Sequence, residues 1–218
     1  GYDGSTITGV TVVARNPGSW GNGLKVAIID DLADQILTFS SLPSNIQVGF
    51  GITQSVPANT VVAGSGTTSL LTGFFKGIVT EVDSTNKKVS VKILESIDSA
   101  GVSTEVSYQP NGIYKFGNTG LTVRNNSGIS TGTGTPTANV DWFDSQTIQL
   151  TNSTINWNNI ADRPGTSSFA EARNSRFDEV HVVVIDDLGE VTGNAGTILE
   201  KHLSLSKAKD GEYSLGSP

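Results

Sequence analysis

Two pairs of neighbouring aspartates are the residues of this 218-residue chain whose type and spacing best suit chemistry: Asp30 with Asp31, and Asp186 with Asp187. Paired carboxylates bind Mg²⁺ or Ca²⁺ and carry out glycoside hydrolysis. Each pair ends a predicted strand, however, and an aspartate there more often hydrogen-bonds into the following turn. We therefore interpret both pairs as turn caps. A hydrolase that uses either pair stays a lesser alternative, which loss of a detected activity on Asp→Asn exchange would support.

Histidine and cysteine chemistry is limited by composition, because the chain has two histidines and no cysteine. A Ser-His-Asp hydrolase needs a histidine beside a nucleophile, and no G-x-S-x-G elbow is present. His181 shares a predicted strand face with Val183 and Ile185, which indicates a structural histidine, and His202 falls on a predicted helix face. No H-E-x-x-H zinc motif occurs. The sequence predicts no enzyme activity, no metal site and no cofactor.

Two other features suit ligand binding but have simpler interpretations. The glycine-rich residues 193–197 precede a predicted helix, and helix N-termini attract anions. The lysine of a phosphate-binding P-loop is missing, so we interpret the segment as a turn capped by Thr197. Trp20, Trp142 and Trp157 suit a carbohydrate platform, but tryptophans more often anchor packing.

Apolar and polar residues alternate along much of the chain, which predicts a strand-rich fold. The clearest hairpin runs along residues 74–82, turns through residues 83–86 and returns along Val89, Val91 and Ile93. The nearly continuous apolar run at residues 179–186 predicts a strand covered on both faces. The other predicted strands cover residues 10–14, 24–30, 35–39, 102–108, 113–116 and 120–123.

Two helices and one connector are predicted in the C-terminal half. Ser168 and Glu171 have the spacing of a capping box that opens a short helix. A second helix is predicted from Thr197, with an apolar side formed by Ile198, Leu199, His202, Leu203 and Leu205. Residues 128–136, GISTGTGTP, predict a flexible connector.

These elements predict an α+β, β-rich fold with two domains. A discontinuous α/β base domain covers residues 1–45 and 136–218. An inserted all-β domain covers residues 46–135, where the number and spacing of short strands favour a small barrel or sandwich.

The net charge of −7 argues against a nucleic-acid or anionic-membrane partner, since both are bound by clustered Lys and Arg. No apolar run reaches the roughly 18 residues of a membrane-spanning helix. Because the chain does not begin with Met, we expect it to be an internal or processed piece of a longer polypeptide.

Three segments carry recognisable motifs: ARNPGSWGNGLKVAI at residues 14–28, DRPGTSSFAEARNSRFDEVHVVVIDDLGEVTG at residues 162–193, and GTILEKHLSLSKAKD at residues 196–210. Together, and in this order, they resemble the tail sheath protein of contractile-tailed bacteriophages of the large myovirus type. The resemblance assigns architectural roles to Arg15, Pro17, Gly18, Trp20, Gly21, Asn22, Asp178, Glu179, Val180, His181, Val182, Asp186, Gly189, Gly193, Gly196, Leu199, Glu200, Ser206, Lys207 and Ala208.

The resemblance implies a structural virion protein of the phage tail that is assembled in the host cytoplasm. Identical subunits form hexameric rings stacked helically around the tail tube, and baseplate triggering makes the sheath shorten and drive the tube through the host envelope. No nucleotide is hydrolysed. Residues 46–135 lack the shared motifs and resemble the β insertions that sheath proteins display outward. We expect the isolated piece to fold as a monomer.

A carbohydrate- or receptor-binding virion module is the alternative, with its site in the β insertion. Glycan binding that is abolished by changing Trp142 or Tyr114 would favour it.

Overall fold

The computed structural model describes residues 12–16, 18–55, 60–62, 69–71, 73–98 and 100–207. Strands dominate these residues, so the predicted β-rich fold is confirmed. In chain order the strands are β1 (Leu24–Asp30), β2 (Gln35–Phe39), β3 (Gly51–Ser55), β4 (Thr60–Val62), β5 (Ser69–Leu71), β6 (Gly73–Asp83), β7 (Lys88–Asp98), β8 (Ser103–Glu105), β9 (Leu121–Arg124), β10 (Ser130–Gly134), β11 (Pro136–Asp141), β12 (Thr147–Gln149), β13 (Thr154–Asn156), β14 (Glu179–Asp186) and β15 (Thr197–Ser206). The chain divides into a discontinuous unit, up to Asp31 and from Gln146 onward, and an inserted unit, Leu32–Ser145.

The inserted unit is built on an eight-stranded sheet that curls into a half-barrel. Its strand order is β10-β9-β3-β6-β7-β2-β11, with β8 paired to β7. β10 and β11 lie at opposite ends of this order although only Thr135 separates them in sequence, so the chain passes directly from one end to the other. Alternate side chains face a core of Leu37, Phe39, Ile52, Phe75, Val79, Val89, Val91, Ile93, Val106, Phe116, Leu121 and Val123.

The predicted hairpin is confirmed as β6 and β7. Asp83 closes its turn by accepting hydrogen bonds from the backbone N–H groups of Thr85 and Asn86, both at 3.0 Å. These bonds, the one from the Asn86 backbone first, hold the pKa of Asp83 below its ordinary value. The turn chemistry anticipated for residues 83–86 therefore sets the register of the strand pair next to the turn, from Asp83↔Lys88 to Glu81↔Ser90.

Phe116 is a fully buried core residue that lies in a loop, so the strand predicted over residues 113–116 is wrong. Buried Gln35 holds it, because Gln35 Nε2 donates to the Phe116 carbonyl at 2.9 Å and the Phe116 N–H donates to Gln35 Oε1 at 2.7 Å. Gln54 makes the same two bonds to Gly117, at 2.9 and 2.7 Å. Side-chain amides thereby replace the hydrogen bonds that a neighbouring strand would supply.

Residues 128–136 are not the flexible connector that was predicted, because they form β10 and the start of β11. A Cβ atom on Gly132 would lie 2.4 Å from the Ser44 carbonyl oxygen, and one on Gly134 would lie 2.7 Å from Pro43 Cγ. Glycine within a strand commonly marks such a close approach of another segment. The low-complexity sequence reflects tight packing here.

The discontinuous unit contains two antiparallel sheets, β1-β14-β15 and β12-β13. The strand predicted over residues 179–186 is confirmed as β14, at the centre of the three-stranded sheet, but Val180, Val182 and Val184 on one face are half-buried and not covered as predicted. The helix predicted from Thr197 is wrong, since this segment is β15. Within the described residues the α-helical content of the unit is a single short helix, α1 (Ser168–Glu171), so the α/β character expected of the base domain is not observed there.

Two register shifts explain the false helical pattern of β15. One extra residue lies between the pairs Ile185↔Ile198 and Val184↔Glu200, and another lies between Val182↔His202 and Val180↔Leu205. Each bulge changes which side chains face the same side of the sheet. The alternation is therefore broken, and the apolar spacing imitates that of a helix.

The ends of the inserted unit lie side by side. β2 and β11, predicted to belong to the base domain, pair with each other in the inserted unit, with Gln35 opposite Asp141. The division between the units consequently falls after Asp31 and after Ser145. Adjacent ends suit insertion into a loop of another unit. Of the strand predicted over residues 10–14, residues 10 and 11 lie outside the described residues and residues 12–14 have no regular structure.

Replacing Gln35 with Leu is expected to lower the free energy of unfolding by about 2 to 5 kcal/mol, because the buried N–H and C=O groups of Phe116 would lose their partner. Urea unfolding followed by circular dichroism measures the loss. Gln47→Leu makes the same change at an exposed residue and is expected to cost less than about 0.5 kcal/mol. Equal losses in the two variants would contradict the role of Gln35.

Candidate functional site

The three segments that carry the sheath resemblance meet in the sheet β1-β14-β15, which we name the motif sheet. β1 pairs with β14 from Leu24↔Asp186 to Asp30↔Val180, and β14 pairs with β15 from Glu179↔Ser206 to Asp186↔Thr197. Pro17 and Ala208 lie outside the described residues. Segments that are distant in sequence are thus neighbours in one sheet.

The loop before β1 is shaped by Trp20. Residues Ser19–Gly23 form a 3-10 helix, and the indole lies so close to Gly18 that a Cβ atom there would stand 2.2 Å from Trp20 Nε1. A Cβ atom on Gly21 would stand 3.2 Å from that of Ala14. A side chain at Gly18 would collide with the Trp20 ring, and one at Gly21 would crowd Ala14, which explains why both positions are glycine. Trp20 is half-buried and not the core anchor that was expected.

Asp178, immediately before β14, joins three parts of the unit. Its carboxylate accepts hydrogen bonds from the Ser167 N–H at 2.8 Å, the Ser167 hydroxyl at 2.7 Å and the Ser206 hydroxyl at 2.5 Å. Ser167 is the N-cap of α1, one residue before the predicted cap, and Ser206 ends β15. Burial opposes ionisation of this carboxyl, but the hydrogen bonds from Ser206 and Ser167 outweigh it and hold the pKa of Asp178 below its ordinary value.

His181, 2% exposed, uses both ring nitrogens inside the fold. The Ser204 N–H donates to Nδ1 at 2.9 Å, and Nε2 lies 2.9 Å from the Asp162 carbonyl oxygen. A carbonyl only accepts, so we assign the proton to Nε2 of a neutral imidazole. Ser204 has a φ of 54°, in the left-handed region, and lies in the second bulge of β15. The imidazole thus holds that bulge in place.

The turn between β14 and β15 is organised by Asp186, which is fully buried. Its Oδ2 atom accepts hydrogen bonds from the Thr192 N–H at 2.7 Å, the Thr192 hydroxyl at 2.9 Å and the Val191 N–H at 3.1 Å. Burial opposes ionisation, but these bonds, those from Thr192 first, hold the pKa of Asp186 below its ordinary value. Gly189, Gly193 and Gly196 have φ angles of 78, 81 and 85°, in the left-handed region that favours glycine over other residues. Gly196 is followed directly by β15, so this turn is not a helix N-terminus.

The two aspartate pairs lie at opposite ends of the motif sheet, since Asp30 faces Val180 and Asp186 faces Leu24. They do not form a shared carboxylate site. Asp30 Oδ1 accepts a hydrogen bond from Lys207 Nζ at 2.7 Å, and Asp31 Oδ1 lies 3.9 Å from Arg163 Nη1. The Asp187 carboxylate accepts hydrogen bonds from the Thr151 N–H at 2.8 Å and from the Thr151 hydroxyl at 2.9 Å.

The remaining aromatic and histidine candidates are occupied by packing or local bonds. Trp142 and Trp157 are 6% and 3% exposed, so neither presents a ring face for a sugar to stack on. Tyr114 packs edge-on against Phe75, with ring centroids 6.3 Å apart. His202 lies on β15 with its Nε2 3.1 Å from Glu200 Oε2.

A cavity of about 550 Å³ lies on one face of the motif sheet, beside Trp20. Its lining includes Leu24 and Val26 of β1, Val184 of β14 and Leu199 of β15. These side chains are half-buried, whereas Val183 and Ile185 on the opposite face are fully buried. Within the described residues, one apolar face of the motif sheet is therefore only partly covered. A partly covered apolar face is typical of a contact surface.

The positions of the other motif residues follow from their strands. Val180, Val182 and Leu199 are half-buried, Glu179 accepts the Gly165 N–H at 3.0 Å, and the exposed members are Arg15, Asn22, Glu200 and Lys207. Three residues of the site were not predicted from the sequence: Ser167, Thr192 and Ser204. Ser167 precedes an apolar helix start and has a capping signal of its own, whereas nothing in the sequence marks Ser204 as a bulge.

Comparisons with family models, with curated proteins and with solved structures find no match to this chain. No group of three or more His, Asp or Glu side chains with the arrangement of a metal site occurs in the part of the chain that the structure describes. None of the helices formed by those residues has the length and apolar character needed to cross a bilayer.

His181→Phe is expected to destabilise the chain by about 2 to 4 kcal/mol, since the Ser204 N–H and the Asp162 carbonyl would both lose a buried partner. The rate of amide hydrogen exchange at Ser204 should also rise in this variant. His202→Phe replaces the other, partly exposed histidine and should leave Ser204 protected. Unchanged protection of Ser204 in His181→Phe would show that the imidazole does not hold the bulge.

Acid should destabilise the motif sheet through Asp178. Because the pKa of Asp178 is lower in the folded chain, stability is intact above the unfolded value of about 4 and is lost as the pH falls through the folded value. The free energy of unfolding of Asp178→Asn should therefore decline less steeply than that of the wild type over this range. The exposed residue Asp162 supplies the control, Asp162→Asn. Parallel acid profiles for Asp178→Asn and the wild type would overturn this assignment.

Proposed function

We propose that this chain is part of a structural subunit of a contractile phage tail sheath. The observation that carries the proposal is that all three motif segments contribute to one sheet, with β14 between β1 and β15. The base domain of the proposed subunit is the discontinuous unit. The inserted unit is the variable domain displayed on the outside of the tail.

The bonding of the motif residues supports an architectural role. Asp178 bonds to the helix cap, His181 to the β15 bulge, and Asp186 Oδ2 to the glycine turn. Gly18 makes room for the Trp20 ring. These residues stabilise the sheet as a rigid body, and a sheath subunit must stay folded while its contacts with neighbours change.

Exposed apolar side chains on the motif sheet and its turn also support contact with other chains. Ile28, Leu188 and Val191 are 60%, 45% and 48% exposed. In the proposed assembly the partners are identical subunits in hexameric rings and helical stacks, together with the tail tube and the baseplate. Contacts that propagate along such a stack join different surfaces of neighbouring copies, since a two-fold patch would close a dimer.

Electron microscopy of the intact gene product, expressed alone, tests the proposal. We expect hollow tubes with the width of a contracted sheath. Gly18→Val should reduce tube formation, because its side chain would displace the Trp20 ring. Gly165→Ala is the matched control, since its Cβ atom would come no closer than 3.7 Å to a neighbouring atom. A folded intact gene product that never forms tubes would refute the proposal.

A further inference from the structure

We infer that Asn111 is a site of spontaneous deamidation, at which the folded chain modifies its own backbone. The sequence contains two Asn-Gly pairs, Asn22-Gly23 and Asn111-Gly112. In this reaction the backbone nitrogen of the glycine attacks the asparagine Cγ atom, a C–N bond forms, and the side-chain nitrogen leaves as ammonia. Water then opens the cyclic imide at either carbonyl and yields aspartate or isoaspartate. Glycine favours the attack because it has no Cβ atom beside the nucleophilic nitrogen.

Asn111 lies where the backbone opens at low cost. It is exposed, in the turn Gln109-Pro110-Asn111-Gly112, and the turn is closed by the Gly112 N–H donating to the Gln109 carbonyl at 3.0 Å. No hydrogen bond to the Asn111 side-chain amide is found among the described residues. Breaking one exposed turn bond frees the Gly112 nitrogen for attack, and local openings of this kind need little free energy.

Asn22 has the same glycine neighbour but a different backbone environment. Gly23 is buried at the end of the 3-10 helix, and its carbonyl accepts the Leu188 N–H at 3.2 Å. The atoms nearest a Cβ atom at Gly112 belong to the exposed Gln109 side chain of its own turn, at 2.2 Å. A Cβ atom at Gly23 would instead stand 3.3 Å from Leu188 Cβ and Glu190 Cγ, in the distant β14–β15 turn. Moving this peptide towards the Asn22 side chain would require the loop to leave the β14–β15 turn. The fold therefore protects Asn22 and leaves Asn111 reactive.

The environment of Asn111 also accommodates the product. Lys115 Nζ donates to the Pro110 carbonyl at 3.1 Å, which places an ammonium group beside the peptide bond that leads into Asn111. A new carboxylate at position 111 would have this cation as a neighbour. The isoaspartate form adds one methylene to the main chain in the turn, while Phe116 stays anchored by Gln35. The modified chain therefore stays folded and carries one further negative charge.

Mass spectrometry of tryptic peptides from the aged chain tests the inference, because Asn22 and Asn111 fall in different peptides, residues 16–25 and 93–115. In the native chain at neutral pH, Asn111 should deamidate roughly tenfold or more faster than Asn22. In concentrated urea the two rates should converge, since the fold no longer separates them. Isoaspartate at position 111, detected by an isoaspartyl methyltransferase, is expected in the native sample.

Asn111→Gln should remove the charge variant that appears with age on ion-exchange chromatography, and Asn22→Gln should leave it. Equal native rates at the two sites, or faster conversion of Asn22, would overturn the inference. So would an Asn111 that reacts only after unfolding.

Discussion

β14 is hydrogen-bonded on both sides, to β1 and to β15, and the arrangement of the discontinuous unit depends on how its buried polar groups are satisfied. Asp178 before the strand, His181 within it and Asp186 at its end each bond to a different segment. A buried polar group that lost its partner would destabilise the fold. The same strand therefore fixes the α1 cap, the bulge of β15 and the turn that joins the two strands.

Periodicity predicted β14 and the β6–β7 hairpin, although the hairpin contains two register shifts. β14 is marked by a continuous apolar run, and β6 with β7 by alternation around a turn with an aspartate at its start. β15 was not predicted in this way: two bulges shift its side chains between faces, and it lacks the turn signal that marked β6 and β7. The Thr197–Ser206 pattern is thus a sum of three short alternations, and no single period describes it.

Close approaches between segments that are distant in sequence could not be predicted either. Gly132 and Gly134 are required by residues 43–44 crossing β10, and Phe116 is held by a glutamine 81 positions away. Of the four paired aspartates that the sequence analysis interpreted as turn caps, Asp186 bonds into the turn that follows it, whereas Asp30 and Asp187 bond to Lys207 and Thr151, which are distant in sequence. The sequence did not distinguish the partners Thr192 and Ser204 from other hydroxyl residues, and it placed the helix cap at Ser168 and not at Ser167.

The pairing of β1 with β14 has a consequence for how the polypeptide matures during translation. β1 leaves the ribosome first, and its partner is made only after the whole inserted unit has been synthesised. Until then its apolar side chains have no sheet to join, which is a typical aggregation hazard for nascent chains. Early folding of the inserted unit brings Gln35 and Asp141 together and shortens the effective loop that β1 and β14 must close. The insertion thereby acts as an internal folding aid for the strands that flank it.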